Sequence, residues 1–140
     1  MSLTFYKYKS EGFVEVPFVE AGIKAGFPSP AADFEGKRIS LDRELIKNET
    51  ATFFARVDGD SMVDAGMANG DLLVVDRSLE PQDGKVAVCM LDGEFTVKRL
   101  RVTNEGVYLV PENSTFKEIK VEEDQELVIW GIVTYVVKSV

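Results

Sequence analysis

The chain has 140 residues, 45% of them hydrophobic, and carries 24 acidic against 16 basic side chains, a net charge of −8. This length and apolar content suit one domain of ordinary size with its own core. An acidic chain lacks the excess of Lys and Arg that neutralises phosphates, so we expect no direct sequence-specific DNA binding. No apolar run approaches the ~20 residues that span a bilayer and no signal-peptide pattern opens the chain, so we expect no membrane contact and a cytoplasmic location.

The chain contains one cysteine and no histidine. A single cysteine excludes an intramolecular disulfide, which agrees with a reducing compartment. Without an imidazole, neither a Ser-His-Asp nor a Cys-His arrangement can form, and the commonest zinc ligand is missing. Since no G-x-G-x-x-G or P-loop string occurs either, we expect no metal and no cofactor.

Residues 1–38 are predicted to form a flexible N-terminal arm with little regular structure. Residues 13–19 favour an extended conformation, whereas the prolines of residues 26–32 prevent a helix and indicate a linker. Between these two segments lies Ala25-Gly26, a pair of small residues that a peptidase could cut. The sequence therefore predicts an extended arm with a candidate cleavage site.

Residues 39–140 are predicted to form a β-rich domain that opens with a short helix, residues 40–46, capped by Ser40. Val, Ile, Leu and aromatic residues then indicate strands over 51–57, 71–76, 85–91, 94–100, 106–110 and 127–137. Asp92-Gly93 predicts a tight hairpin between two of these strands. Short, closely spaced strands are typical of a mostly β fold, here a twisted β-sandwich or half-open barrel.

Ser61 follows a predicted strand in the run Gly59-Asp60-Ser61-Met62 and opens a predicted helical segment, residues 61–68. Backbone N–H groups at such a start lack intrahelical acceptors and can stabilise the oxyanion of a tetrahedral intermediate. Since histidine is absent, a serine nucleophile would need another base, and the known substitute is a deprotonated lysine. The alternative is that Asp60 or Ser61 only caps the helical segment.

Lys98 is the candidate base because it lies inside the strand-like run 94–100. Strand alternation places it on one face with Thr96 and Leu100 but leaves open whether that face is buried. To act as a base, Lys98 needs a pKa lowered by burial from ~10.4 by about 3 units. The alternative is a lysine on a solvated face or at a sheet edge. Cys89, in an apolar strand, is predicted to be a small core residue.

Six ordered segments, from about residue 14 to the end of the chain, carry a family resemblance. They are Val16-Pro17-Phe18-Val19, Ala25-Gly26, Gly59-Asp60-Ser61-Met62, Gly70-Asp71-Leu72-Leu73-Val74-Val75-Asp76, Asp92-Gly93-Glu94-Phe95-Thr96-Val97-Lys98 and Leu109-Val110-Pro111-Glu112-Asn113-Ser114. Together they resemble the self-cleaving Ser-Lys peptidases of the LexA/UmuD family, of the peptidase S24 type. Residues 26–34 look most like the stretch after the cleavage site in UmuD-like members. Ala25 departs from the cysteine common there and is the LexA-like residue.

The resemblance implies a LexA/signal-peptidase-like fold and a reaction on the chain itself. Ser61 would attack the Ala25-Gly26 carbonyl, and neutral Lys98 would take the serine proton as general base. The backbone N–H groups of Asp60 and Ser61 would form the oxyanion hole. By the same resemblance, a RecA filament on single-stranded DNA would activate cleavage in the SOS response to DNA damage. The trimmed form would be a homodimer that joins a UmuC-like Y-family subunit in an error-prone translesion polymerase.

Two alternatives to this function stay open. The first is the C-terminal domain of a LexA-type or phage-type repressor, although only 25 residues precede the cut, too few for a helix-turn-helix domain. A reading frame that continues upstream would indicate a repressor. The second is a binding module that keeps the fold but does not cut, which incubation at high pH beside a Ser61→Ala control would reveal.

Overall fold

The computed structural model describes residues 2–12, 14–17, 38–60, 62–112, 115 and 117–140. Its contacts divide the chain into two compact units, Met1–Tyr8 with Asn48–Val140, and Lys9–Lys47. The predicted boundary between residues 38 and 39 stays a prediction. No helix among the described residues is long and apolar enough to cross a membrane.

The described residues form strands that pair only in antiparallel fashion, one short α-helix and two 3-10 turns, at Glu49–Ala51 and Val63–Ala65. In chain order the strands and the helix are β1 (Ser2–Lys7), β2 (Glu15–Pro17), β3 (Arg38–Ser40), α1 (Leu41–Leu45), β4 (Thr52–Asp58), β5 (Leu72–Asp76), β6 (Val86–Leu91), β7 (Glu94–Thr103), β8 (Gly106–Val110), β9 (Ile119–Lys120) and β10 (Leu127–Val137). One eight-stranded sheet has the order β1-β4-β5-β10-β6-β7-β8-β9, and β2 pairs with β3 alone. The predicted strands of residues 39–140 are confirmed to within a few residues at each end.

The smaller unit contains β2, β3 and α1. Val16 pairs with Ile39, and Arg38 Nη2 donates a hydrogen bond to the carbonyl of Glu15 at 2.8 Å. The extended conformation predicted for residues 13–19 is confirmed at Glu15–Pro17, and residues 13, 18 and 19 lie outside the described residues. Helix α1 confirms the predicted short helix, with Ser40 at its N-cap position, but the Ser40 side chain makes no capping hydrogen bond.

The large sheet curls on itself, so its first and sixth strands meet. The rings of Phe5 in β1 and Phe95 in β7 lie 5.0 Å apart between centroids, and the ring of Trp130 in β10 lies 4.7 Å from that of Phe5. Right-handed twist accumulates over successive strands and brings such distant strands together. The predicted mostly β, half-open barrel is confirmed.

Residues 2–7, which composition placed in the arm, form the edge strand β1. All six pair with β4, from Ser2 opposite Asp58 to Lys7 opposite Phe53. Leu3 and Phe5 of this strand pack against the core, as period-2 alternation requires of a strand with one buried face. The N-terminal residues are therefore an integral part of the sheet.

Successive residues of β6 contribute to two different buried clusters. Val86 and Val88 belong to the first cluster, which also contains Met62 and Val97, whereas Ala87 and Cys89 belong to the second. The second cluster is completed by Leu100, Leu109 and Ile132. Both faces of this part of the sheet are thus covered, which explains the nearly unbroken apolar run of β6.

The β6–β7 hairpin confirms the prediction at Asp92-Gly93. Both residues have a positive φ, 49° and 84°, as the favoured two-residue turn requires. The Asp92 N–H donates to the carbonyl of Glu126 at 3.0 Å, which ties the hairpin to the residue before β10.

Strand β10 lies in the middle of the sheet, between β5 and β6, and its pairing register shifts once with each neighbour. A Cβ atom added at Gly131 would lie 2.6 Å from Cγ1 of Val75, so this position requires glycine. The strand is not fully covered, since Val128, Tyr135 and Val137 are about 40% exposed.

Two buried carboxylates flank β5. Asp71 accepts hydrogen bonds from the N–H of Ala68 at 2.7 Å and from Lys138 Nζ. Asp76 accepts bonds from Asn48 Nδ2 at 2.6 Å and from the N–H and hydroxyl of Ser78. Burial raises the pKa of Asp76, but these hydrogen bonds outweigh it and hold the pKa below its ordinary value.

Candidate functional site

Three of the predicted site residues, Ser61, Ala25 and Gly26, lie outside the described residues. Lys98 and Asp60 lie within them. The site is therefore built from Lys98 and from the chain on both sides of Ser61.

Lys98 lies in β7 opposite Ala87 of β6, and its residue is only 7% exposed. Because directly opposed residues project to the same face, Lys98 shares the face of Ala87 and Cys89 with the second core cluster. The alternative of a lysine on a solvated face is wrong. The sequence left this point open because alternation gives the faces of a strand but not what covers them.

Burial is the main influence on the ionisation of Lys98. It lowers the pKa of the ammonium group below its ordinary value, while the charge of a Cys89 thiolate would act in the opposite direction. The same burial raises the pKa of the Cys89 thiol to about 12, against a smaller opposing effect of Lys98. Cys89 is thus a neutral, fully buried thiol, which confirms that it is a core residue.

The chain before Ser61 is fixed by short-range contacts. Gly59 leaves β4 with a φ of 121°, a conformation that favours glycine, and its N–H donates to Asn69 Oδ1 at 3.1 Å. The carbonyl of Asp60 accepts a hydrogen bond from the N–H of Val63 at 3.2 Å. These contacts fix the positions of Gly59 and Asp60, the two residues that precede Ser61.

The chain after Ser61 is anchored by Met62, whose side chain is fully buried in the first core cluster. Of the one or two helical turns predicted over residues 61–68, the structure describes a single 3-10 turn, Val63–Ala65, which ends at Gly66 with a φ of 81°. The N–H groups of Val63 and Asp64 already bond the carbonyls of Asp60 and Glu112. These two groups are therefore not available to an oxyanion.

Glu112, two residues after β8, connects this turn to β7. Its carbonyl accepts from the N–H of Asp64 at 2.5 Å, and its own N–H donates to Sδ of Met62 at 3.3 Å. Its carboxylate pairs with Nε of Arg99, the neighbour of Lys98. Sequence reasoning missed this connection, although the opposite charges of Arg99 and Glu112 in neighbouring segments were a usable signal.

No group of three or more His, Cys, Asp or Glu side chains within the described ranges is arranged to hold a metal ion. The structure describes a buried lysine, Lys98, with a lowered pKa. The next residue pairs with Glu112, and Glu112 bonds the turn that follows Ser61. A neutral lysine beside a serine is the arrangement of Ser-Lys hydrolases.

Comparison with known proteins identifies the family. The sequence profile described as Peptidase S24-like matches residues 17–134. The chain belongs to the S24-like peptidase family. This confirms the predicted resemblance and the prediction of a serine peptidase that cleaves its own chain.

Curated relatives of this S24-like peptidase include proteins of similar length. The chain is 42% identical over 121 residues to Protein MucA of Escherichia coli, covering 86% of this chain and 82% of that protein. It is 44% identical over 110 residues to Protein SamA of Salmonella typhimurium, covering 79% and 76%. It is also 38% identical over 118 residues to the LexA repressor of Oleidesulfovibrio alaskensis, covering 84% of this chain but only 56% of the repressor.

Proposed function

We propose that the chain cleaves its own Ala25-Gly26 bond, with Ser61 as nucleophile and Lys98 as general base. The observation that carries this proposal is the burial of Lys98 in β7. Burial lowers the pKa of Lys98, so more of the amine is in the neutral form that can accept a proton. The absence of histidine from the whole sequence supports lysine as the base.

The reaction proceeds in two acyl-transfer steps. Neutral Lys98 takes the proton from the Ser61 hydroxyl while the oxygen attacks the Ala25 carbonyl carbon, and the N–H groups of Asp60 and Ser61 stabilise the oxyanion. Protonated Lys98 then gives its proton to the leaving amine of Gly26, which leaves an ester between Ser61 and Ala25. A water molecule hydrolyses the ester, and Lys98 again accepts and returns the proton. The products are residues 1–25 and residues 26–140.

A tethered substrate needs little binding affinity. The peptide bond and the nucleophile are in one chain, so their effective concentration is high, and loop closure over this distance is inexpensive. Control must therefore come from how often the bond reaches the site or from the protonation of Lys98. A RecA filament on single-stranded DNA would raise that frequency without supplying catalytic groups.

The cleaved product acts in the mutagenic branch of the SOS response. In this proposal it is a cytoplasmic homodimer that binds a UmuC-like Y-family polymerase subunit, with no direct sequence-specific DNA binding. The similarity to MucA and SamA over most of their length supports this role. The acidic chain, with 24 acidic and 16 basic residues, fits a protein that reaches DNA through partners.

A second candidate function is the peptidase part of a longer self-cleaving repressor. The match to the LexA repressor carries it, since that match covers 84% of this chain. The genomic reading frame distinguishes the two, because a repressor frame extends upstream through a DNA-binding domain, whereas a polymerase accessory gene is expected beside a Y-family polymerase gene.

Incubation of the purified protein between pH 7 and 10, followed by intact-mass analysis, tests the proposed reaction. We expect one cut and a new N-terminus that begins Gly26-Phe27-Pro28. Ser61→Ala should abolish cutting, and Gly26→Glu should block it because a bulky charged side chain would crowd the leaving group. A new terminus elsewhere, or efficient cutting of the Gly26→Glu protein, would refute the assignment.

A further inference from the structure

Glu112 makes three contacts that join two parts of the candidate site. Its N–H and carbonyl bond Met62 and Asp64, one and three residues after Ser61, and its carboxylate pairs with Arg99, the residue after Lys98. Through this single residue, the turn that follows the proposed nucleophile is linked to the strand that carries the proposed base.

Arg99 is itself fixed at several points. Its backbone pairs with Val110 in β8, its Nη1 donates to the carbonyl of Gly84 at 2.7 Å, and its Nε donates to the Glu112 carboxylate. The rigid planar guanidinium thus sets the position of Glu112 relative to β7, as a flexible ammonium group would not.

The contribution of this ion pair to stability should be small. Its side chains are 37% and 29% exposed, and such pairs typically contribute about 1 kcal/mol or less. Its effect on geometry should be larger, because the turn it holds is only the single 3-10 turn Val63–Ala65. A displacement of about 1 Å between reacting groups can reduce a rate about 100-fold.

We propose that Arg99 and Glu112 are positioning residues for self-cleavage, which set the distance between Lys98 and the turn that follows Ser61. This rests on the proposed Ser61 and Lys98 roles. Neither residue takes part in proton transfer, so their loss should lower the rate at every pH without moving the pH at which the rate is half-maximal.

The same strand offers a matched control pair. Arg101, two residues further along β7, forms an ion pair with Glu118, and these side chains are 45% and 36% exposed. The ion pair described for Glu118 joins it to Arg101 in β7, whereas Glu112 also bonds Met62 and Asp64 through its backbone. The two pairs therefore differ in their connection to the turn and little in exposure or type.

The test compares Arg99→Ala and Glu112→Gln with Arg101→Ala and Glu118→Gln. The rate of self-cleavage is measured from pH 7 to 10, and the urea midpoint of unfolding is measured for each protein. We expect the first two variants to lose at least about tenfold in the high-pH rate, with an unchanged midpoint of the pH profile. The control variants should cleave like the wild type, and all four should have similar urea midpoints.

Several results would overturn the proposal. One is a wild-type cleavage rate in Arg99→Ala and Glu112→Gln, and another is an equal loss of rate in the control variants. The others are a shifted midpoint of the pH profile with an unchanged high-pH rate, and a loss of rate accompanied by a lower urea midpoint. Because Glu112→Gln keeps the shape of the side chain, a loss of rate in this variant would not be explained by a general folding defect. The proposed function itself fails only if the wild type does not cut at Ala25-Gly26 or if Ser61→Ala still cuts. The wild-type and Ser61→Ala results therefore distinguish a failure of the proposed function from a failure of the positioning role alone.

Discussion

Lys98 is a basic side chain in a setting that penalises its charge. Ala87 lies opposite it in β6, the neutral thiol of Cys89 lies two residues further along that strand, and burial lowers the pKa of Lys98. A deprotonated amine is therefore accessible at lower pH here than at the surface. This single property turns an ordinary strand lysine into a candidate base.

We expect self-cleavage to accelerate with pH above neutrality. The neutral fraction of Lys98 rises about tenfold per pH unit below its pKa and levels off above it, and only this form accepts the Ser61 proton. Single-turnover rates from pH 6 to 10 would show the rise and the plateau. A rate that stays flat between pH 7 and 10 would contradict the lysine-base mechanism.

Lys98→Met separates the chemistry from the fold. Methionine fills a similar volume without a charge, so we expect cleavage to be lost and the urea midpoint to be retained. Lys85→Ala removes an exposed lysine just before β6 and should change neither property. Cleavage by the Lys98→Met protein would show that another group acts as base.

Asp76 shows how a buried carboxylate makes stability depend on pH. Its hydrogen bonds from Asn48 and Ser78 depress the pKa in the folded state. The resulting stabilisation is fully present above the unfolded pKa, near ~4, and is lost as pH falls through the folded pKa. We expect the free energy of unfolding to decline below about pH 4.

Urea titrations between pH 7 and pH 3 measure this decline. Asp76→Asn should lower stability at pH 7 by about 1–3 kcal/mol and flatten the acid dependence, because the charged acceptor is lost. Glu94→Gln, an exposed carboxylate at the start of β7, should leave both unchanged. An unaltered pH slope in the Asp76→Asn protein would assign the acid sensitivity to other groups.

At the scale of elements, the sequence predicts the turn and strands that depend on neighbouring residues, but not the strand that depends on pairing with a distant one. Asp92-Gly93 needs only its own positive φ angles and its two flanking strands, so the hairpin was predictable. Strand β1 depends on pairing with β4, some 50 residues away, and it buries only Leu3 and Phe5. Its sequence alone does not specify a partner.

The candidate site was predictable in its residue types but not in its supports. The missing histidine and the strand context of Lys98 indicated the base, whereas its burial depended on which elements cover each face of β7. One of the one or two helical turns predicted after Ser61 is present, and it ends where Gly66 takes a left-handed conformation. Two of the three contacts of Glu112 use its backbone groups, which carry no sequence signal, whereas its charge opposite that of Arg99 was a usable one.

Gly131 in β10 lies where a side chain would meet Val75 of β5. A Cβ atom there would lie 2.6 Å from Val75 and 3.3 Å from Arg77. We expect Gly131→Ala to destabilise the fold by about 1–3 kcal/mol, because Val75 must shift to admit a methyl group. Urea unfolding measures the loss, and Val128→Ala, at an exposed position of β10, should lose much less. Equal losses of stability in the two variants would show that the contact between a Cβ atom at residue 131 and Val75 is readily relieved.

For the whole molecule, the exposed apolar side chains of β10 point to self-association. Val128, Tyr135 and Val137 leave about 40% of their surface uncovered in the middle of the sheet. The apolar run of residues 129–137 predicts a contribution to a homodimer, with a fully buried central strand as the alternative. The exposed side chains show that the strand is not fully buried, and the homodimer stays a prediction.

Light scattering at micromolar concentration should give twice the mass of one chain. Tyr135→Glu places a charge on the proposed interface and should shift the protein toward monomer. Tyr6→Glu, on the edge strand β1, is the matched control and should remain dimeric, since Tyr6 is also about half exposed. A monomeric wild type would rule out this dimer.

Strand β1 belongs to the segment that the proposed cut separates from residues 26–140. After scission no covalent bond would hold it, but all six of its residues would still pair with β4 and Phe5 would still contact Trp130. Shedding of the peptide would then be a dissociation with its own equilibrium constant and a dependence on dilution. Denaturing mass spectra would report the cut at once, whereas native mass spectra would show both fragments together until dilution separates them. Phe5→Ala should release the peptide at a higher protein concentration than the wild type does. The delay between scission and release of the peptide would then be determined by how strongly β1 binds the edge of the sheet.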